Sequence, residues 1–397
     1  MKPKLGENWL VSPSIQTPIR VMRIIARMNV GGPAVQVSGL MRGFDSTEFD
    51  HRLYTGFCAV DEADYLETVA TDLNATRIDG FGRRVSLSGD IKAFLTLVKE
   101  IRSFKPQIIH THTAKAGFLG RIASIVSFHP SIRVHTFHGH LLNGYFGTFK
   151  RSLVVLAEKI LAMFTDQLLA VGDKVRQDLL AAGIGESNKF ALMPPGLEIG
   201  QLPNKSDALK FYGLSTQTLQ CAFIGRVTQI KRPDRFLDVV SEIKKRGVAI
   251  EFFIAGDGEL LESCRERIAH EDLPVKILGW QSDIEKVLAA ADLVVLTSDN
   301  EGTPLSLIQA GMAGLPVVTT RVGSVPEVVL DGVTGTITSL DIQEIADALE
   351  KLVKNNKLRV QMGVGGQKFT LTNFGVERLV KDHEELYKKL IANRAKS

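Results

Sequence analysis

The chain lacks several features that would assign it to a specialised class of protein. Its 397 residues include three cysteines without CxxC spacing, Cys58, Cys221 and Cys264, which argues against a disulfide framework or a zinc site. No run of about 18 apolar residues occurs, so no segment is expected to span a membrane. The net charge of +4 is too small to predict nucleic-acid binding. We therefore expect a reduced, cytoplasmic protein, for which attachment to a membrane face stays open.

Sites for a metal ion are also hard to find. No Asp-x-Asp tripeptide occurs, so a Mg²⁺ or Mn²⁺ held by paired carboxylates has no obvious ligands and we expect no metal cofactor. Six of the nine histidines lie in the stretch from His110 to His140. Their spacing suits zinc poorly, and no Asp or Glu between them completes a ligand set. We expect instead that one imidazole hydrogen-bonds a ligand hydroxyl or a carbonyl.

What the sequence does contain is a repeated alternation of short apolar runs and amphipathic stretches. This rhythm indicates βαβ units and parallel sheets, hence an α/β fold. The predicted strands cover residues 21–25, 52–56, 108–110, 134–137, 167–171 and 190–193 in the first half. In the second half they cover 219–224, 250–255, 275–278, 293–296 and 317–320.

The rhythm breaks once, at Pro194-Pro195-Gly196 and the polar stretch that follows. Proline and glycine in such a cluster mark a loop, so we place a domain boundary there. The predicted units are a loose tail (1–18), a first α/β domain (19–198) and a second (199–375). Parallel sheets bind ligands beyond the carboxyl ends of their strands. Two such sheets facing each other would form a deep cleft.

A first candidate site follows the first strand, at Gly31-Gly32-Pro33. Glycines let the backbone come close to a ligand, and proline suits the first turn of a helix. The free N–H groups at that helix start could bind a phosphate or a sugar oxygen. A structural tight turn explains the pattern about as well, because the fingerprint G-x-G-x-x-G is absent.

A second candidate site joins Gly225-Arg226 and Lys231, just after the first strand of the second domain. A guanidinium and an ammonium that converge at a strand end can clamp a diphosphate and stabilise a leaving group. The alternative is a solvated basic loop, since Lys231 and Arg232 adjoin a surface helix.

The third candidate is the loop that contains Glu301 and opens a helix. Amides at Thr303 and Leu305 could bind a phosphate there. Gln309 lies eight residues after Glu301, so we expect both side chains on one side of the helix. The alternative is a helix cap with a buried glutamine. The complete loop reads Glu301-Gly302-Thr303-Pro304-Leu305.

Two further glycine turns follow strands of the second domain. Gly256 stands between Ala255 and Asp257, and Gly279 precedes Trp280. These turns could line a wall for a nucleotide base through backbone contacts. Ordinary turns explain them nearly as well.

Taken in order, these elements resemble the GT4 family of retaining glycosyltransferases with the GT-B fold. That fold has two Rossmann-like domains facing each other across a cleft, and a final helix, here within 376–397, that crosses back to the first domain. The match covers nearly all of the chain beyond residue 18. The histidine segments around residues 110–117 and 135–140 also resemble bacterial capsule, exopolysaccharide and O-antigen transferases. This narrower resemblance implies a UDP-sugar donor and a glycan or lipid-linked acceptor.

The resemblance also implies roles for individual residues. His138 would contact the donor sugar, Arg226 and Lys231 would bind the diphosphate, and Glu301 would hold sugar hydroxyls. The glycine loop at Gly31 and Gly32 would approach the donor phosphate or the acceptor. The remaining predicted donor contacts are Gly225, Gly256, Gly279, Trp280, Gly302, Thr303, Pro304, Leu305 and Gln309.

Gln309 is the one departure from the family pattern, which has a second glutamate at this position. A glutamine can still accept and donate a hydrogen bond to a ribose, but it loses charge-assisted bonds worth about 1–2 kcal/mol. We expect weaker donor binding rather than an inactive protein. Two other readings stay open: a family member that binds nucleotide sugar or glycan without transfer, and a UDP-sugar 2-epimerase.

Overall fold

The computed structural model describes residues 17–60, 62–139 and 148–396. Its strands form two parallel sheets, one of seven strands and one of six. This confirms the predicted α/β class with two Rossmann-like sheets. The predicted tail lies outside the described residues except for residues 17 and 18. The domain boundaries themselves stay predictions, although the second sheet begins only after residue 218.

The first sheet has the strand order β3-β2-β1-β4-β5-β6-β7. Helices connect successive strands, as expected of parallel neighbours. In chain order the elements are β1 (Ile19–Ile25), α1 (Gly32–Gly43), β2 (Phe49–Thr55), α2 (Tyr65–Thr68), β3 (Ala75–Arg77), α3 (Leu87–Phe104), β4 (Ile108–His112), α4 (Ala114–Val126), β5 (Ile132–Phe137), α5 (Thr148–Met163), β6 (Gln167–Ala170), α6 (Asp173–Ala181) and β7 (Phe190–Leu192).

The second sheet has the order β10-β9-β8-β11-β12-β13. Its elements are α7 (Lys205–Tyr212), β8 (Leu219–Ile224), α8 (Pro233–Lys245), β9 (Ile250–Ala255), α9 (Leu261–His270), β10 (Val275–Gly279), α10 (Ile284–Ala290), β11 (Leu293–Leu296), α11 (Leu305–Met312), β12 (Val317–Thr320), α12 (Val325–Val328), β13 (Gly335–Thr338), α13 (Ile342–Lys354), α14 (Asn356–Phe374) and α15 (Val376–Arg394).

Strand β8 shows why the central strands read as continuous apolar runs. Successive side chains of a strand point to opposite faces. Here Ala222 and Ile224 pack into one hydrophobic cluster, whereas Phe223 packs into another on the opposite face. Helices cover both faces, so apolar residues are favoured on both. Complete burial of a side chain such as Phe223 contributes about 1.5–3 kcal/mol.

The last helix, α15, packs against the first sheet rather than the second. Leu379 and Tyr387 share a cluster with Val21 of β1. A Cβ atom at Gly43 of α1 would lie 2.3 Å from a methyl group of Val380, so the missing side chain allows α1 and α15 to touch. This packing places Tyr387 beneath the carboxyl end of the first sheet, next to the residues described below.

Candidate active site

Three of the predicted glycine turns lie side by side at the carboxyl ends of β8, β9 and β10. A Cβ atom at Gly256 would lie 1.8 Å from the carbonyl oxygen of Gly225, so only glycine fits this contact. The Gly256 amide donates to the Gly279 carbonyl oxygen at 2.8 Å. Gly279 has a φ of +71°, a conformation that favours glycine. Trp280 follows with its side chain 42% exposed.

The loop after β8 places its two basic residues in different surroundings. The Arg226 side chain is exposed, and no ion pair to it exists within residues 17–60, 62–139 and 148–396. Lys231 ends a short 3₁₀ turn, and its ammonium lies 2.6 Å from Oε1 of Glu301. Arg226 is therefore available to an anionic ligand, whereas Lys231 already has a carboxylate partner.

Glu301 is held by the loop that follows β11. Its side chain is 7% exposed, and Oε1 accepts hydrogen bonds from Ser298 Oγ at 2.5 Å and from Lys231 Nζ at 2.6 Å. Its backbone oxygen accepts from the Ser324 amide at 3.1 Å. A carboxylate fixed in this way is oriented before a ligand arrives.

The helical spacing argument for Glu301 and Gln309 is wrong. Helix α11 begins only at Leu305, so Glu301 precedes the helix and its direction is set by Ser298 and Lys231 instead. Gln309 lies on the helix itself, one turn after its first residue. The first N–H groups of an α-helix have no acceptor within the helix. The predicted phosphate-binding position at Thr303 to Leu305 therefore coincides with the observed helix start.

The loop before α11 meets the first sheet directly. Thr303 Oγ1 donates to the carbonyl oxygen of Val171 at 3.3 Å. A Cβ atom at Gly302 would lie 3.0 Å from Cα of Gly139 and 3.3 Å from the carbonyl oxygen of His138. Pro304 is buried at the helix start. Residues predicted from distant parts of the sequence thus share one region.

The glycine loop of the first domain reaches the same region. Gly31 precedes α1 and its carbonyl oxygen accepts from the Ala34 and Val35 amides. A Cβ atom at Gly32 would lie 3.3 Å from a methyl carbon of Leu305. The starts of α1 and α11 therefore face each other, one from each sheet.

His138 follows β5, and its side chain contacts that of a second histidine, His112. Its Nε2 lies 2.8 Å from Nδ1 of His112. Burial, followed by the charge of Arg23, lowers the pKa of His138 to about 3. His138 is therefore neutral at physiological pH. The remaining histidine of this segment, His140, lies outside the described residues.

Two residues near this site were missed by the sequence analysis. Arg23 of β1 is completely buried and contacts His112 at 2.7 Å. Glu327 of α12 accepts from the amides of Asp173 and Lys174, at 2.6 and 3.0 Å, at the start of α6. The arginine within an otherwise apolar strand could have been recognised in the sequence. No local pattern indicates the contact of Glu327 with α6, which begins 154 residues earlier.

Comparison with known families agrees with this architecture. Residues 31–196 match a glycosyl transferase 4-like domain, and residues 218–355 match the glycosyl transferases of group 1. Together these matches include every strand of the two sheets except β1, and the residues of both halves of the candidate site. The chain belongs to the GT4-type glycosyltransferases.

Individual relatives support the same assignment. The chain is 28% identical over 327 residues to an Escherichia coli enzyme named UDP-Gal:alpha-D-GlcNAc-diphosphoundecaprenol alpha-1,3-galactosyltransferase, covering 79% of this chain and 83% of that one. It is 25% identical over 315 residues to the Staphylococcus aureus capsular polysaccharide biosynthesis glycosyltransferase CapM, covering 77% and 82%. This glycosyltransferase therefore matches these two relatives along most of their length.

Solved structures show the fold. Anabaena HepE, crystallised in complex with UDP, superposes with a TM-score of 0.77 at 19% identity, covering 93% of this chain and 100% of that one. A sucrose-phosphate synthase from Thermosynechococcus elongatus gives a TM-score of 0.78 at 16% identity, covering 94% and 100%. The predicted GT-B fold of this glycosyltransferase is confirmed.

Two features are absent from the described part of the chain. None of its helices combines the length and the apolar character needed to cross a bilayer. No cluster of three or more His, Cys, Asp or Glu side chains within these residues is arranged to hold a metal ion.

Proposed function

We propose that this glycosyltransferase moves a sugar from a UDP-linked donor to a glycan or lipid-linked acceptor in polysaccharide biosynthesis, with retention of configuration and without a metal ion. The observation that carries the proposal is the pairing of Lys231 with Glu301 beside the start of α11, where the loop faces His138 from the other sheet. Arg226 lies in the same loop as Lys231. The names of the E. coli and S. aureus relatives support the class of donor and acceptor.

In this proposal the donor diphosphate lies between the exposed guanidinium of Arg226 and the first amides of α11. Such fixed donors stabilise the negative charge that grows on the departing diphosphate. Lys231 contributes its charge while it holds Glu301, which accepts from hydroxyls of the donor sugar. Two cationic side chains and a helix start could thus replace the metal ion that an Asp-x-Asp motif would otherwise supply.

Retention is proposed to follow from attack on the same face as the leaving group. The acceptor hydroxyl would give its proton to the departing phosphate, so that no protein carboxylate acts as nucleophile. His138 and the glycine loop at Gly31 and Gly32 would contact the sugar and close the site from the first domain. Closure of this kind excludes water from the transfer.

The test is calorimetric binding of UDP, GDP and ADP in the presence of EDTA, on wild type and on Arg226→Ala. We expect micromolar binding of UDP alone, reduced by at least tenfold in the variant, because a charge-assisted contact contributes about 1.5–3 kcal/mol. Arg265→Ala is the matched control, since Arg265 is an exposed arginine on α9 of the same domain. Absence of binding to any nucleotide would favour a glycan-binding family member without transfer activity. Inversion at C2 of the sugar without UDP release, measured in a separate assay, would favour the epimerase.

The departure at Gln309 gives a separate prediction. Gln309→Glu should tighten UDP binding by about tenfold, because a carboxylate accepts from ribose hydroxyls more strongly than an amide does, by about 1–2 kcal/mol. Calorimetry with UDP measures the change, and Gln343→Glu on α13 controls for the added negative charge. An unchanged or weaker dissociation constant would show that Gln309 does not contact the ribose.

Peripheral attachment to the cytoplasmic face of a membrane is part of the same proposal. Helix α5 exposes apolar side chains at helical spacing, and its one acidic residue, Glu158, points inward to Arg121. An apolar face on a helix that exposes no acidic residue of its own suits an anionic lipid surface. The exposed side chains are Leu153, Leu156, Ile160 and Met163.

We expect the protein to cosediment with vesicles that contain phosphatidylglycerol. The double variant Leu156→Asp/Ile160→Asp should bind at least tenfold more weakly, because two charges replace apolar contacts worth about 1.5 kcal/mol or more each. Leu371→Asp on α14 is the matched control, since Leu371 is equally exposed on the other domain. Equal binding of both variants would contradict a role for α5.

A further inference from the structure

Arg23 is fully buried and is connected through His112 to His138, the histidine that the proposed function places at the donor sugar. Arg23 Nε donates to His51 Nε2 at 2.8 Å, and Nη2 donates to Tyr387 Oη at 3.0 Å. Nη1 lies 2.7 Å from His112 Nε2 and 3.2 Å from His110 Nδ1. No carboxylate pairs with Arg23 within residues 17–60, 62–139 and 148–396. Its charge is satisfied entirely by neutral groups.

This arrangement fixes the proton positions on His112 and His138. A guanidinium can only donate hydrogen bonds, so His112 Nε2 must accept. A neutral imidazole carries one proton, so the proton of His112 is on Nδ1. That proton points to His138 Nε2 at 2.8 Å, which must accept in turn. The proton of His138 is then on its other nitrogen, Nδ1.

Neutral histidines are what the surroundings favour. Burial, then His110 and the charge of Arg23, lowers the pKa of His112 well below its ordinary value. His138 is held neutral for similar reasons. A second proton on either ring would also turn the contact with Arg23 or His112 into a donor facing a donor. Geometry and electrostatics therefore agree on the protonation state.

We propose that Arg23 is a positioning residue that acts through His112 to hold His138 as an Nδ1–H hydrogen-bond donor. The inference rests on the proposed function only in identifying the acceptor, which would be a hydroxyl or ring oxygen of the sugar. Within the described residues, no protein acceptor is hydrogen-bonded to His138 Nδ1, so this N–H is available to a ligand.

The consequence for catalysis is that His138 donates and does not take up a proton. Its Nε2 lone pair is occupied by the His112 N–H, and its Nδ1 already carries a proton. Neither nitrogen can act as a general base. The acceptor proton must then go elsewhere, which fits its transfer to the departing phosphate.

The C-terminal helix completes this arrangement. Tyr387 of α15 accepts from Arg23 and its hydroxyl donates to His110 Nδ1 at 2.5 Å. His110 Nε2 then donates to Thr136 Oγ1 at 2.7 Å. Each neighbour of Arg23 thus has a single consistent proton position, which leaves no freedom for His112 to turn.

The experiment reads the tautomers directly from long-range ¹H–¹⁵N correlation spectra of the full chain labelled with ¹⁵N-histidine, without substrate. His112 and His138 signals are assigned with single His→Gln variants. We expect both rings to show the Nδ1–H pattern at neutral pH. An Nε2–H pattern for His138, or averaged signals, would overturn the proposal whether or not the protein transfers sugar.

Variants at Arg23 extend the test. Arg23→Met should release the tautomers of both rings and lower kcat by about tenfold or more, by analogy with partners that orient metal-bound histidines. Arg23→Lys, which also only donates, should restore the Nδ1–H pattern. Arg121→Met is the matched control, because Arg121 is an equally buried arginine of this domain that bonds Gly117 and Glu158 instead.

The control separates positioning from general stability. Arg121→Met should lower the thermal unfolding temperature yet leave the His138 signals unchanged. If Arg121→Met altered the tautomer of His138 as Arg23→Met does, the proposal would be wrong. If Arg23→Met does not fold, the spectra of wild type and of Arg23→Lys still test the proposed tautomers. Calorimetric binding of UDP tests the proposed function separately, because UDP binding does not depend on the tautomer of His138.

Discussion

Arg226→Ala is expected to reduce kcat by about 10²-fold or more, since removal of one preorganised donor to a developing negative charge costs that much in other enzymes. Arg226 is exposed at the end of β8 and has no carboxylate partner among the described residues. Its loss therefore creates no unpaired buried charge, and the change in rate reports on the ligand. Single-turnover assays of UDP release measure it.

Lys231→Ala should lower kcat by a similar factor, but this loss would have two causes. The Lys231 ammonium lies 2.6 Å from the buried carboxylate of Glu301, so the variant also leaves that carboxylate without its cation. The double variant Lys231→Ala/Glu301→Gln separates the two effects, because residues in direct contact are not additive. If the double variant loses less catalytic free energy than the two single variants together, the difference measures the coupling between Lys231 and Glu301.

Arg265→Ala should keep the wild-type rate, since Arg265 lies on the outer surface of α9. Near-wild-type rates in both Arg226→Ala and Lys231→Ala would contradict the proposed stabilisation of the leaving group. A rise in KM without a change in kcat would instead show that these side chains bind the ground state and the transition state equally.

The sequence predicted the central strands well because both faces of a parallel sheet are buried. Four strands, β8, β9, β11 and β12, were predicted with their observed bounds. Strands β3 and β13 were missed. They are short, they contain Thr and Arg or Gly and Thr, and each lies at the edge of its sheet, where one side has no neighbouring strand. These two strands lack the apolar residues by which β7 and β10, which are also edge strands, were predicted.

The candidate site could be predicted as far as strand ends determine it. Loops after parallel strands meet at one edge of a sheet, which is why the turns at Gly225, Gly256 and Gly279 lie together. Contacts between elements that are distant in the sequence had no such rule. The bond from Arg23 to Tyr387 joins residues 364 positions apart, and the pairing of Lys231 with Glu301 depends on how two loops fold. Neither leaves a local pattern.

The cluster of buried histidines predicts that the first domain is unusually sensitive to acid. Burial is the first cause that lowers the pKa in each, and the folded pKa is about 3 for His138 and His383. Their unfolded pKa is near the ordinary 6.5. The set consists of His51, His110, His112, His135, His138 and His383.

The direction in which stability changes with pH follows from proton binding. Between the folded and the unfolded pKa, the unfolded chain binds more protons, so stability falls as the pH falls. The loss starts near pH 6.5 and continues towards pH 3. Each group contributes up to about 1.4 kcal/mol per pH unit. Two or three such groups would remove about 4–6 kcal/mol by pH 5, a large part of the typical 5–15 kcal/mol of a folded protein.

Urea unfolding followed by circular dichroism between pH 7.5 and pH 5 measures this loss. His383→Leu should shift the acid transition to lower pH, because it removes one buried imidazole whose Nδ1 bonds only the carbonyl oxygen of Leu379 on its own helix. His270→Leu, at an exposed position that ends α9, is the control and should leave the transition in place. A free energy of unfolding that stays constant from pH 7 to pH 5 would show that the histidines are charged in the folded chain, and it would remove the electrostatic basis for a neutral His138.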